Sequence, residues 1–192
     1  MKDETTSQTI SYALSYLASR PEMQEKIVEE YDRVIGKKVS IEYEDTKHME
    51  YTMSVFKETL REIPVAIAII KVAEEDTQLG EYSIPKGTLI TIDTNNVHKN
   101  EKYWSNPEKF DPERFMRDQI TPYSFIPFSV GPRSCIGMKF AETEAVVALS
   151  KIVRKFKVSH FGKGKDPHIR DCRIVVVLSP KVPIQLVFTP RD

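Results

Sequence analysis

One thiol dominates the chemistry open to this chain. Cys135 lies within Phe128-Ser129-Val130-Gly131-Pro132-Arg133-Ser134-Cys135-Ile136-Gly137. Gly131 and Gly137 admit turns there, and Pro132 fixes φ and removes a backbone donor. From Met138 onward the apolar residues recur at helical spacing, so the loop delivers Cys135 just ahead of a helix start. The first turn of a helix has unpaired N–H groups and the positive end of the dipole, and both favour an anion. A thiolate is such an anion, and thiol acidity increases further beside a cation such as Arg133. The residue types alone describe an activated or metal-ligating cysteine. A second pattern is Glu58 and Arg61, an acid–base pair at i,i+3 on the side of a helix opposite Met53, Phe56, Leu60 and Ile63. On a surface such a pair contributes about 0.2–0.5 kcal/mol.

Composition narrows the classes of function. Among 192 residues, 28 basic and 28 acidic side chains cancel, so no global field draws the chain to nucleic acid or to an anionic membrane. Cys172 is the second of two cysteines, so there is no disulfide framework and a reducing compartment is expected. Neither cysteine belongs to a C-x-x-C pair, which argues against a zinc or iron–sulfur site. No apolar run approaches the roughly 20 residues of a membrane span, and residues 1–20 do not read as a signal peptide. Proline-rich punctuation between residues 107 and 132 marks one long irregular segment before the cysteine, of the kind that carries function.

The elements that must position these residues read as follows. A helix is expected over Met1–Leu17, with Ile10, Ala13, Leu14 and Leu17 on one face and acids and hydroxyls at its start. A second opens at Arg20-Pro21 and stops at Gly36. A third runs from Glu50 to Ile63 and ends at Pro64. Val65 to Ala73, Thr77 to Ile84 and Thr88 to Ile92 read as strands of a small antiparallel sheet, with Pro85-Lys86-Gly87 as a turn. A helix from Gly137 to Phe156 presents Phe140, Ala141, Ala145, Val146, Ala148, Leu149, Ile152 and Val153, a face expected to pack inward. Arg173 to Leu178 and Ile184 to Phe188 read as a closing hairpin, and Cys172 as an ordinary thiol in polar surroundings. The fold class is mainly α with small antiparallel sheets, α+β, in one unit spanning residues 1–192.

The cysteine stretch resembles, position for position, the F-x-x-G-x-R-x-C-x-G loop of the cytochrome P450 haem-thiolate monooxygenases. Three further segments resemble that family in the same order. Asp3-Glu4-Thr5 is similar to the acid–alcohol pair of its central helix, Glu58–Arg61 to its E-x-x-R, and Phe110-Asp111-Pro112-Glu113-Arg114-Phe115 to the segment that completes it. The resemblance implies the C-terminal portion of the P450 fold, of the microsomal animal type, with haem b as cofactor and Cys135 as axial iron ligand. Arg133, Lys71, Phe128 and Gly137 would belong to the haem-binding set, Lys71 standing where the family commonly has a propionate-binding Arg. Glu4 and Thr5 would deliver protons on the oxygen-binding side of the haem, and Val65 to Ile70 would line the substrate cavity. Glu58, Arg61 and Arg114 would form a buried structural clamp holding the long loop.

The implied reaction inserts one oxygen atom from dioxygen into a small apolar substrate, with electrons from an NADPH-dependent reductase. Lys139 and Lys151 would face that partner. The implied setting is the cytosolic face of the endoplasmic reticulum membrane, with membrane association through an amino-terminal anchor not found in this chain. Family enzymes are longer, so this polypeptide alone is expected not to turn over. The alternative is a truncated, non-catalytic haem-binding or protein-interaction product.

Overall fold

The computed structural model describes residues 2–162, 164–168, 171–174 and 178–191. Four longer helices carry the core. The helix α1, Lys2–Ala18, buries Tyr12, Ala13, Leu14, Tyr16 and Leu17. Next, α2, Pro21–Val34, starts on a proline whose missing N–H has no helical partner to lose. It ends before Gly36, whose φ of 56° suits glycine. After the short α3, Tyr43–Thr46, comes α4, Glu50–Glu62. The last long helix, α7, Met138–Lys155, buries Ala145, Val146, Leu149 and Val153, spaced to share one side. Both α1 and α2 pack against α4 and α7. Between α4 and α7 lie α5, Thr94–Lys99, and α6, Arg114–Arg117.

Four two-stranded antiparallel sheets surround this core among the described residues. Strand β1, Ala68–Val72, pairs with β4, Leu89–Asp93, placing Lys71 opposite Ile90. The stretch 77–84, expected as one strand, is a hairpin of β2, Thr77–Leu79, and β3, Tyr82–Ile84. Gly80, with φ of 62°, supplies the left-handed turn that splits it. Strand β5, Phe156–His160, begins where α7 ends and pairs with β8, Leu186–Pro190. The expected closing hairpin is therefore not formed. Its second run joins β5, while β6, Cys172–Ile174, pairs with β7, Leu178–Pro180; residues 175–177 of its first run lie outside the described residues. Leu178 N–H turns to the carbonyl of Val65 instead, at 2.9 Å. Strand pairing is chosen by long-range partners that local alternation does not contain.

Two side chains also depart from expectation. Phe140, expected inward, is 73% exposed at the start of α7. Cys172, expected in polar surroundings, belongs to the hydrophobic core, its sulfur 3.4 Å from Tyr12 Oη. Burial pushes that thiol's pKa up, which keeps it protonated.

The α4 helix needs help at its start, because Met49 offers no side-chain cap. Glu30 reaches over from α2 and accepts from Tyr51 N–H at 2.6 Å, Thr52 N–H at 2.9 Å and Thr52 Oγ1 at 2.6 Å. A buried carboxylate thus satisfies donors that the helix itself cannot, at the end where negative charge is favoured. Hydrogen bonds to a charged group are worth about 1.5–3 kcal/mol. Glu30→Ala is expected to lower unfolding free energy by roughly that amount, read from the urea midpoint.

Candidate functional site

The site rests on a buried ion cluster. Glu58 and Arg61 have no exposed side-chain surface, and Arg114 has 2%. One turn of α4 separates Glu58 from Arg61, so the carboxylate and guanidinium meet in a forked pair, Nε to Oε2 at 2.8 Å and Nη2 to Oε1 at 2.9 Å. Arg114 Nε donates to the same Oε1 at 3.2 Å, as does Asp111 N–H at 2.8 Å. The remaining guanidinium donors fasten irregular backbone. Arg61 Nη1 donates to His98 O at 3.1 Å, and Arg114 donates to Ser105 O at 2.9 Å and Lys109 O at 3.1 Å. Burial alone would push the Arg61 pKa down; bonds and charge from Glu58 and Glu62 reverse this and leave it raised. Both guanidiniums lie over the Trp104 ring, which meets Phe115 tilted and Phe125 edge-on.

His98 is fully buried beside this cluster. Its Nε2 accepts from Ile126 N–H at 2.9 Å. Burial pushes its pKa down to about 4, with the charge of Arg61 acting in the same direction and the Leu60 backbone against it. The ring is neutral at physiological pH.

The cysteine loop follows Ile126. Ser129, at φ of 64°, and Gly131, at φ of 79°, bend it in the left-handed region. Cys135 N–H donates to Phe128 O at 2.9 Å and Ser134 N–H to Gly131 O at 3.0 Å, closing the loop on itself. Met138 N–H then donates to Cys135 O at 3.3 Å as α7 begins. Gly137 does not need glycine for its backbone, with φ of −86°, contrary to its expected role in forcing the turn. It lies close to the sulfur: a Cβ there would sit 3.8 Å from Cys135 Sγ. Cys135 is exposed and Cys172 buried.

Between α1, α4, β1 and this loop lies a cavity of about 440 Å³, within the range of cofactor and small-molecule sites. Thr5, Lys71, Phe128, Arg133 and Cys135 all line it. Gly137 borders the sulfur without lining the cavity, and Glu4 is exposed at the start of α1 and does not line it. Sequence reading had marked Val65 to Ile70 as the wall, and Val65, Ala66, Ala68, Ile69 and Ile70 are there. It had not marked Thr6, Thr9, Phe56, Leu60, Ser129 or Ala141. Thr9 lies one turn beyond Thr5, so helical spacing carried that signal; Phe56 and Leu60 carried only the signal of ordinary core.

The lining suits a flat, largely apolar group with acidic edges. Phe56, Leu60, Val65 and Ile69 supply hydrocarbon, Lys71 and Arg133 supply cations, and Cys135 supplies a soft ligand. Ser129 Oγ, also on this wall, is buried without a protein partner and so has a hydrogen bond to offer a bound group. Among the described residues no cluster of three or more His, Cys, Asp or Glu could hold a metal ion.

Comparison with known proteins gives the family. Residues 3–188 match the family described as Cytochrome P450. The chain belongs to the cytochrome P450 family. The cofactor of that family is haem b. Over 192 residues the chain is 42% identical to Cytochrome P450 3A13 of Mus musculus and 38% identical to Cytochrome P450 3A2 of Rattus norvegicus. Over 191 residues it is 38% identical to Cytochrome P450 3A5 of Homo sapiens. Each match covers 98% of this chain, and the chain spans 38% of the length of these curated relatives. Its helices with small antiparallel sheets are those of a partial P450 fold. Among the described residues no helix is long and apolar enough to cross a membrane.

Two outcomes follow for stability. Glu58→Ala strands two buried guanidiniums and is expected to cost about 3–5 kcal/mol of unfolding free energy, measured by urea titration. His98 binds its proton more weakly when folded, so its contribution is complete above its ordinary value of 6.5 and is lost as pH falls from there toward about 4. The full loss is about 3 kcal/mol, at roughly 1.4 kcal/mol per pKa unit. His98→Gln, which cannot titrate, is expected to flatten that part of the pH profile of the urea midpoint.

Proposed function

We propose that this chain is the haem-binding portion of a monooxygenase that inserts one oxygen atom from dioxygen into a small apolar organic substrate, with Cys135 as the axial iron ligand. The observation that carries the reading is convergence. Five residues from three separated parts of the sequence, Thr5, Lys71, Phe128, Arg133 and Cys135, line one cavity. Residues 1–192 act as a single unit in this reading, since α1 and α7 share one core with α4.

Thiolate-ligated haem, when bound, supplies dioxygen activation, with electron donation from sulfur favouring O–O cleavage. The chain's own residues bind, orient and protonate. Cys135 Sγ ligates iron from an exposed loop whose backbone is pinned at Phe128. Arg133 and Lys71 bind the carboxylate edges of the cofactor, Arg133 with a planar fork and Lys71 as a compact point charge. Phe128 and the neighbouring Gly137 frame the sulfur. Thr5 lines the cavity, and Glu4 stands exposed one residue earlier without lining it. That order lets Glu4 collect a proton from water and Thr5 hand it inward. The apolar wall from Val65 to Ile70 selects apolar substrates by burial.

Electrons come from an NADPH-dependent reductase, with Lys139 and Lys151 on the side that would meet it. The setting we infer from microsomal relatives is the cytosolic face of the endoplasmic reticulum membrane. Titrating the purified chain with haemin, then reducing it under carbon monoxide, tests the ligand. A thiolate-type Soret band is expected at a stoichiometry near one haem per chain, lost in Cys135→Ala and retained in Cys172→Ala. Equal bands in the protein and in Cys135→Ala, or no uptake, would overturn the reading.

A further inference from the structure

Besides the packing of Phe125 and Phe128 on the core, the cysteine loop has one side-chain hydrogen bond from outside it among the described residues. Its backbone bonds, Ser129 N–H to Ile126, Cys135 N–H to Phe128 and Ser134 N–H to Gly131, are internal and fold it on itself. Among the described residues, one hydrogen bond joins residues 125–137 to a side chain outside that stretch, from Ile126 N–H to His98 Nε2 at 2.9 Å. His98 is itself fixed. It has no exposed surface, its ring centroid lies 5.2 Å from that of Phe125, and its carbonyl accepts Arg61 Nη1 at 3.1 Å. A continuous path therefore runs from Glu58 through Arg61 and His98 to Ile126, two residues before the carbonyl that holds Cys135.

We propose that His98 is a positioning residue for the cysteine loop, transferring the geometry of the Glu58–Arg61 clamp to Cys135 through its bond to Ile126. Because Ile126 supplies the hydrogen, Nε2 carries the lone pair and the proton sits on Nδ1. A ring charged at both nitrogens could not accept it. Arg61 from α4 is the cation facing the ring. Glu58 and Glu62 are bonded to that guanidinium, Lys99 beside His98 pairs with Glu62, and Arg114 of α6 shares Glu58. A second positive charge at His98 is thus opposed from α4, which favours the accepting form. The consequence for haem rests on Cys135 being the iron ligand; the tether itself does not.

The test compares the protein with His98→Ala and His98→Gln, the latter placing an amide oxygen near the position of Nε2. Residue-resolved amide exchange by NMR on the haem-free protein reads the loop directly. In His98→Ala, exchange is expected to quicken at least tenfold at both Ile126 and Cys135, with α1 core amides unchanged, and His98→Gln is expected to restore both. In haem-loaded samples, the thiolate-type fraction of the reduced carbon monoxide spectrum is expected to fall several-fold in His98→Ala and recover in His98→Gln. Should His98→Ala fail to fold, His98→Asn, whose oxygen stops short of Ile126, takes its place. Faster exchange confined to Ile126, or an undiminished thiolate band, would overturn the proposal. If the unaltered chain takes up no haem, the functional reading fails, whereas the exchange result still decides the tether.

Discussion

A carboxylate with no access to water sets the arrangement of this protein. Glu58 sits inside α4, a helix buried on nearly every side, and its charge is tolerable there because two guanidiniums and a backbone N–H converge on it. The guanidiniums have donors to spare, and those donors hold stretches of chain with no regular structure. The network therefore does for the irregular segment what a sheet ladder does for a strand: it satisfies buried carbonyls and fixes their places. Replacing such a cluster with hydrocarbon can be neutral for stability in other proteins, so its value here lies in specifying one path for the chain.

That path matters because the segment between α5 and α7 is mostly irregular, with no strand and only the short α6 to order it. Its ordering comes from a few aromatic contacts, Trp104 with Phe115 and Phe125, laid against the clamp, and from the histidine bond at Ile126. The loop beyond then stands in a backbone conformation that is costly for Ser129, with φ of 64°. Strain of that kind persists only where the surroundings over-determine it. The exposed thiol at the end of this chain of restraints, facing a cavity with apolar walls and two cations, is a coherent place for a haem.

Two patterns of the site were legible because each carries its chemistry in residue type at short spacing, whereas the roles of Glu4, Thr5 and Arg114 came from the family resemblance alone. The Cys135 loop announced a presented sulfur, and the i,i+3 spacing of Glu58 and Arg61 placed acid and base within reach. What the spacing could not tell was whether that pair faced water or the interior, a difference between a few tenths and several kcal/mol. The long helices were legible for the same local reason, with Ile10, Ala13, Leu14 and Leu17 or Ala145, Leu149 and Val153 recurring on one side.

The misreadings of the closing hairpin and of Cys172 are long-range. The runs Arg173 to Leu178 and Ile184 to Phe188 look like partners because they are neighbours in sequence, yet β8 pairs with β5 and β6 with β7. Cys172 was judged by its sequence neighbours, and its real neighbour, Tyr12, lies 160 residues away. His98 offered nothing in its local sequence to suggest a role in holding the cysteine loop. By itself, then, the sequence determined the helices, the loop that presents a sulfur and the acid–base pair, since these depend on periodicity and residue chemistry within a turn or two. Tertiary structure alone decided strand partners, the burial of Glu58 and the tie between His98 and Ile126, because burial and pairing are properties of segments distant in the chain that meet only when the core closes.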